Sequence, residues 1–286
     1  MIVITAASGN LGRLVLEDLL GRGVPAAEIR AVVRDPGKLA DYAERGIEVV
    51  QGDYSDEQSL VAALEGADKL LLISSMGGDE ERMKHHLNAL AAAKQAGVKH
   101  LVYTSIPHAE DNAIPFSRVH KETEEAIRQS GIPFTFLRNN WYFENVTGAI
   151  DSALEHGAII GANGEGRIAY ASRADYAAAA AVVLSGAGHE GKVYELTGDE
   201  ALTPPEFAAE ISAQSGKPVV YTVLSEQQYA KALEGFGVPA ARTGELAQAD
   251  VAISHGALAE TTDTLATLIG RPTTTVAEAV AQALGK

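Results

Sequence analysis

The chain has 286 residues, enough for one elaborate domain or two modest ones, and contains no cysteine; disulfide frameworks, thiolate chemistry and zinc-finger-like sites are excluded, and a reducing cytoplasm is the expected setting. Its 23 Lys and Arg stand against 38 Asp and Glu, and the formal charge of -15 repels nucleic-acid phosphates and disfavours an anionic membrane as partner. The amino terminus does not read as a signal peptide, and no apolar run approaches the roughly 18 residues of a membrane helix.

Apolar, β-rich runs alternate with helical patterns from the first residue. MIVIT (1 to 5) precedes a helix in which Leu11, Val15 and Leu19 recur at every fourth position. IRAVV (29 to 33) leads into PGKLADYAERG, with Pro36 at the start of a helix and Gly46 just past its end. Then follow IEVV (47 to 50), a helix from Asp56 to Leu64, KLLLI (69 to 73), a helix from Glu80 to Gln95, HLVYT (100 to 104), a helix from Ser117 to Arg128, and FTFLR (134 to 138). Strands that are apolar on both faces, joined by helices, imply right-handed crossovers and a parallel, doubly wound α/β sheet of the Rossmann type. After about residue 145 the pattern loosens into Gly-rich loops, an Ala-rich helix at 175 to 184, a strand at 192 to 196 and a helical tail. The expected division is a nucleotide-binding domain over 1–150 and a smaller substrate region over 151–286, with 172–197 returning to the first sheet.

The segment ITAASGNLGR joins the first strand to the first helix, the place where close backbone approach and a helix amino terminus together hold a pyrophosphate. Gly9 and Gly12 supply phosphate approach and helix packing, while Ala6 stands where a glycine would make the tight turn; its methyl is tolerated if φ stays negative. Arg34 follows the second strand, where a guanidinium pairs with a 2′-phosphate, so NADPH is expected over NADH unless Arg34 pairs with Asp35. Asp53, after the third strand, either accepts from an adenine amino group or caps the next helix, and Ser74 and Ser75 lie at the ligand-binding end of the fourth. His85 and His86 are adjacent on a helix and point apart, and no metal is assigned.

Taken together, MIVITAASGNLGR, AVVRDP, QGDYSD, LLLISS, GVKHLVYTS, PFTFLRNNWYFEN, SRADYAAAA, GKVYELTGD and IGRPTTT resemble the NmrA-like branch of the atypical short-chain dehydrogenases, nearly end to end. Within that branch the resemblance is to the bacterial type 2 NADPH:quinone oxidoreductases, with the triphenylmethane reductases near. It implies an NADPH-binding Rossmann domain, a small carboxyl-terminal region and two-electron reduction of quinones; separately, either a monomer or a homodimer is expected. Carried over by position, Ala6, Ala7, Ser8, Gly9, Asn10, Leu11, Gly12 and Arg34 bind the pyrophosphate and adenosine end, and Ser74, Ser75 and Met76 line the ribose. Arg138, Asn139, Asn140, Trp141, Tyr142 and Phe143 surround the nicotinamide. The family's usual glycine is Ala6 here, which bears on cofactor affinity and not on cofactor identity.

Alcohol-active members of the wider family use Tyr-x-x-x-Lys, and this chain has no such spacing; Ser117 stands in for the tyrosine while Lys121 keeps the lysine position. Ketone reduction needs a positioned acid, worth roughly 10² to 10⁴ in rate. A hydroquinone oxygen, phenolic with a pKa of about 10, can form as the anion and collect its proton from water. The missing tyrosine therefore favours a quinone-like acceptor. In this reading Asn139 and Asn140 fix a carboxamide or quinone oxygen, and Trp141, Tyr142 and Phe143 form an aromatic wall or else a core cluster. Lys121 holds the nicotinamide ribose or lies on a solvated face, His120 faces the cleft or is structural, Tyr103 is core, Ser172 caps a helix, and Arg173 reaches the cofactor. Reduction of triphenylmethane or azo dyes and non-catalytic NADP sensing are the alternatives.

Overall fold

The computed structural model describes residues 1–286, the side chain of Ala241 excepted. The chain forms two compact units. The first comprises Met1–Ala109, Arg118–Asn139 and Arg173–Glu195; the second comprises Glu110–Ser117, Asn140–Ser172 and Leu196–Lys286.

Seven strands and six helices build the sheet and flanks of the first unit: β1 (Ile2–Ile4), α1 (Asn10–Gly21), β2 (Ile29–Val33), α2 (Ala40–Glu44), β3 (Glu48–Gln51), α3 (Glu57–Leu64), β4 (Lys69–Leu72), α4 (Asp79–Gln95), β5 (His100–Ser105), α5 (Ser117–Ser130), β6 (Phe134–Asn139), and later in the chain α8 (Arg173–Ser185) and β8 (Lys192–Leu196). The strand order is β3-β2-β1-β4-β5-β6-β8, and the pairs from β3 through β6 run parallel. The doubly wound expectation holds. Strand order reverses between β1 and β4, so the crevice that takes ligands in such sheets opens at their carboxyl ends. The two ends are tied there: Thr5 N and Thr5 Oγ1 donate to Leu71 O at 3.0 and 2.8 Å, and Tyr54 donates to Ile73 O at 2.7 Å.

The stripe Leu11, Val15, Leu19 is buried as its spacing requires. The Ala-rich α8 is buried nearly all round and lies against α1, because methyl side chains let two helices approach closely. The helix expected over PGKLADYAERG is interrupted: Pro36–Leu39 is a 3₁₀ turn capped by the Asp35 carboxylate, and α2 begins only at Ala40.

Ala6 does not meet the condition of negative φ. It sits at φ +48°, in the left-handed region, which costs an L-residue roughly 1–2 kcal/mol. The turn is closed by Gly9 N donating to Ala6 O at 3.0 Å and Ala7 N to Val32 O at 3.3 Å. Gly12 is needed for space: a Cβ there would stand 2.6 Å from Ala7 Cα and 2.7 Å from Ala6 O.

The second unit holds α6 (Glu144–Thr147), α7 (Ile150–His156), β7 (Ala158–Gly161), α9 (Pro204–Ser215), β9 (Val220–Val223), α10 (Glu226–Gly235), α11 (Ala240–Ser254), α12 (Thr264–Ile269) and α13 (Val276–Ala283). Strands β7 and β9 pair in parallel. Reciprocal capping boxes start three helices, Thr203 with Glu206, Ser225 with Gln228 and Thr275 with Glu278, each satisfying two otherwise orphan donors. Phe143, Tyr170 and Phe207 pack as its aromatic core, with ring centroids 5.3 to 6.1 Å apart.

Candidate active site

In the first unit, the loop from Ala6 to Gly12 runs from the end of β1 into α1. Gly9 is the helix N-cap, and no side chain caps the first turn, which carries no acidic residue. Backbone N–H groups of Asn10, Leu11 and Gly12 are thus left to an anion, and the helix dipole favours one there. Ala7, Leu11 and Gly12 are buried, Ser8 is partly exposed, and Gly9 and Asn10 face solvent.

Arg34 is exposed at the end of β2. Asp35, its expected competitor, instead accepts from Gly37 N at 3.0 Å. A second cation missed by the sequence reading stands in the same stretch: Arg13 donates to the Lys38 carbonyl, ion-pairs with Asp41 at 3.7 Å and lies over the Tyr42 ring. Its signal was available, since Arg13 directly follows the last glycine of the loop.

Asp53 does not cap α3. That role belongs to Asp56, which accepts from Gln58 N and Ser59 N. The Asp53 carboxylate accepts from Ser55 N and Ser55 Oγ, both at 2.8 Å, and the Ser55 backbone donor is the leading cause holding it below the usual carboxylate range. At the end of β4, Ser75 is buried, Ser74 partly exposed and Met76 fully open at 74%. His120 does not face a cleft: it is buried between Arg82 (3.0 Å) and Tyr103 (2.9 Å), and burial drives its pKa well below the ordinary value.

Arg138 near the end of β6 is 4% exposed and makes a bidentate pair with Glu124, 1% exposed, at 2.9 and 2.7 Å, plus a bond to Glu195 at 2.7 Å. Ser105 donates to Glu124 at 2.7 Å. The guanidinium thus ties α5, β5, β6 and β8 together. Asn139, the last residue of β6, is buried. Lys121 is exposed on α5, and Arg173, the first residue of α8, is partly exposed.

The second unit carries the rest of RNNWYF. Asn140 donates through Nδ2 to Leu258 O at 3.2 Å and accepts from Trp141 N at 2.7 Å, so its amide orients the following residue. Trp141 is partly exposed and stacks on Phe116, centroids 6.1 Å apart and planes at 25°. Tyr142, also partly exposed, bridges to Ala171. Phe143 is buried in the aromatic core and offers no wall to a ligand. Phe116, the stacking partner, was not anticipated; an aromatic just before α5 was the only hint. Ser117 Oγ donates to Asn112 O at 2.7 Å, and Ser172 Oγ lies 3.0 Å from Thr274 Oγ1. Among the described residues no cluster of three His, Asp or Glu could hold a metal ion, and no helix is long and apolar enough to cross a membrane.

The βα loop with its uncapped helix start and the basic end of β2 agree with a family model, that of the NmrA-like family, which matches residues 1–264. The chain belongs to the NmrA-like family. It is 51% identical over 280 residues to quinone oxidoreductase 2 of Escherichia coli (strain K12), covering 98% of this chain and 97% of that protein. The crystal structure of the Escherichia coli NADPH-dependent quinone oxidoreductase complexed with NADPH superposes with a TM-score of 0.95, covering 99% of this chain and 100% of that one. Citrobacter sp. triphenylmethane reductase complexed with NADP(H) gives 0.94 at 40% identity, covering 99% of this chain and 100% of that one. The NAD(P)H azoreductase of Xenophilus azovorans is 32% identical over 97% of this chain and 96% of its own length.

Proposed function

We propose that this NmrA-like protein is an NADPH-dependent quinone oxidoreductase that delivers two electrons as hydride to a quinone. The observation that carries the reading is the likeness, at 51% identity and a TM-score of 0.95, to a quinone oxidoreductase solved with NADPH. The residues present fit that cofactor: the space kept open by Gly12, the uncapped start of α1 and the exposed Arg34 suit a pyrophosphate and a 2′-phosphate. Ala6, Ala7, Ser8, Gly9, Asn10, Leu11 and Gly12 would hold the pyrophosphate, Arg34 with Arg13 the 2′-phosphate, Asp53 the adenosine end, and Ser74, Ser75 and Met76 the ribose. Asn139 would border the nicotinamide. When bound, NADPH supplies the hydride.

The chain's own part is orientation, and it brings no strong acid. Ser117 gives its proton to a backbone carbonyl, and Tyr103 is fully buried with its phenol pushed up by burial. Lys121 is exposed and would serve only as a local charge. A ketone would be left as a costly alkoxide, whereas a quinone yields a phenolate-like anion that water protonates. Trp141, held by Asn140 and backed by Phe116, presents a flat aromatic surface suited to a planar acceptor. The acceptor is a small molecule, and the absence of cysteine supports a cytoplasmic setting. A second reading, reduction of triphenylmethane or azo dyes, rests on the likeness to the Citrobacter and Xenophilus enzymes.

Both are tested by following NADPH oxidation at 340 nm with benzoquinones, a triphenylmethane dye, an azo dye and a simple ketone. Turnover is expected to be fastest with quinones and absent with the ketone. Faster turnover of dye than quinone would favour the second reading, and NADPH binding with no turnover on any acceptor would leave a sensor.

A further inference from the structure

The carboxyl end of β4 is held by a buried network that the quinone chemistry does not use. The Arg82 side chain, on the first turn of α4, donates through Nε to Ser75 O at 3.0 Å and through Nη2 to Ser74 Oγ at 3.1 Å. It also donates to His120 Nε2 at 3.0 Å. That nitrogen therefore carries no proton, and His120 Nδ1–H donates to Tyr103 OH at 2.9 Å. One turn further along α4, His86 Nε2 accepts from Ser75 N at 3.0 Å, which fixes its proton on Nδ1, facing Thr123 Oγ1 at 2.8 Å. The Thr123 hydroxyl passes its own proton to Val119 O at 2.7 Å. Arg82, His86, His120, Tyr103 and Thr123 are all buried.

The serine pair is thus gripped from both sides, its carbonyl by a guanidinium and its amide by an imidazole. Only an arginine reaches two acceptors on successive residues with fixed separation; a lysine offers one point charge on a flexible stem. We propose that Arg82 is a positioning residue for cofactor binding, holding the Ser74–Ser75 turn in the shape that NADPH requires, with His86 and His120 as its struts. The proposal rests on the reading that Ser74 and Ser75 border the cofactor. The charged and titratable groups facing the histidines are Arg82, His85, Tyr103 and, for His120, His86 itself. Burial, then the Arg82 charge, holds both histidines neutral, His86 down to about 3. The grip therefore persists unchanged across neutral pH.

The test uses the full-length enzyme with Arg82→Gln, Arg82→Lys, Ser74→Ala and Ser75→Ala. NADPH Kd is measured by fluorescence titration, quinone KM at saturating NADPH, and histidine tautomers by ¹⁵N NMR. Arg82→Gln should raise NADPH Kd tenfold or more while quinone KM stays within twofold, Arg82→Lys should keep a several-fold loss, and the His120 pKa should rise as the Arg82 charge is lost. A purely structural role would lower Tm and the active fraction without this split between Kd and KM. If the serine variants weaken NADPH and neither Arg82 variant does, the positioning role is overturned while the serine assignment stands. If the serine variants bind NADPH as tightly as the parent, the assignment itself falls and the proposal with it. Should Arg82→Gln fail to fold, Arg82→Lys carries the same comparison.

Discussion

The two units treat buried charge in opposite ways. In the first, Arg138 meets Glu124 in a bidentate pair and Glu195 alongside, and two histidines are kept neutral by burial. In the second, Asp250 on α11 accepts from Ala162 N at 2.7 Å and faces the phenols of Tyr170, Tyr221 and Tyr229; burial pushes its carboxyl up to about 6. Only glycine allows that convergence, because a Cβ on Gly161 would stand 2.6 Å from Tyr221 OH and 2.9 Å from Asp250 Oδ2. A paired charge stiffens its surroundings, whereas a carboxylate among phenols makes its own ionised state costly. The buried histidines of the first unit and Asp250 of the second should therefore respond to acid with opposite signs.

The largest effect belongs to the paired charges. Glu124→Ala leaves Arg138 buried against a missing partner and should cost about 3–5 kcal/mol in urea unfolding; a loss under 1 kcal/mol would show that water reaches the pair. Next come His86 and His120, whose folded pKa values are depressed below the ordinary 6.5. The unfolded chain takes up their protons first, so their contribution is whole above about pH 6.5 and falls below it by roughly 1.4 kcal/mol per pH unit for each histidine. Replacing His86 with glutamine should shallow that acid slope.

Asp250 runs the other way. Its folded pKa lies above the ordinary aspartate value of 3.8, so the folded state keeps its proton longer and this group's contribution declines as pH rises from about 4 to 6. Asp250→Asn should gain roughly 1–3 kcal/mol over the parent at pH 8 and little at pH 4; an equal difference at both pH values would mean that the carboxyl titrates normally. Smallest is Ala6→Gly, which relieves a left-handed alanine and should stabilise by about 1 kcal/mol. Because the turn is already closed by Gly9 N on Ala6 O, NADPH Kd should stay within a few-fold.

Local pattern carried much of this molecule. Apolar strands flanked by helical stripes announce the doubly wound sheet, and the glycines of the first βα loop and Arg34 are legible in the sequence as candidates for the nucleotide end. What stayed hidden depends on long-range closure. The φ of Ala6 is set by Val32 and Gly9 around it, and no periodicity reports a backbone angle. Arg82 and His120 meet across 38 positions, and Arg138 meets Glu195 across 57, so neither pairing could be read from spacing. Phe143 looked like part of an aromatic wall because it follows Trp141 and Tyr142. The turn after β6 sends it into the core, where Tyr170 and Phe207 wait.

The central claim is a division of labour in which Arg34 and the glycine loop hold NADPH while the Trp141 surface holds the acceptor. Steady-state kinetics of Trp141→Ala, with NADPH and a benzoquinone each varied, tests it most directly. The account predicts a quinone KM raised about tenfold, equivalent to roughly 1.4 kcal/mol, with the NADPH KM unchanged. An unchanged quinone KM, or a loss confined to NADPH, would contradict it.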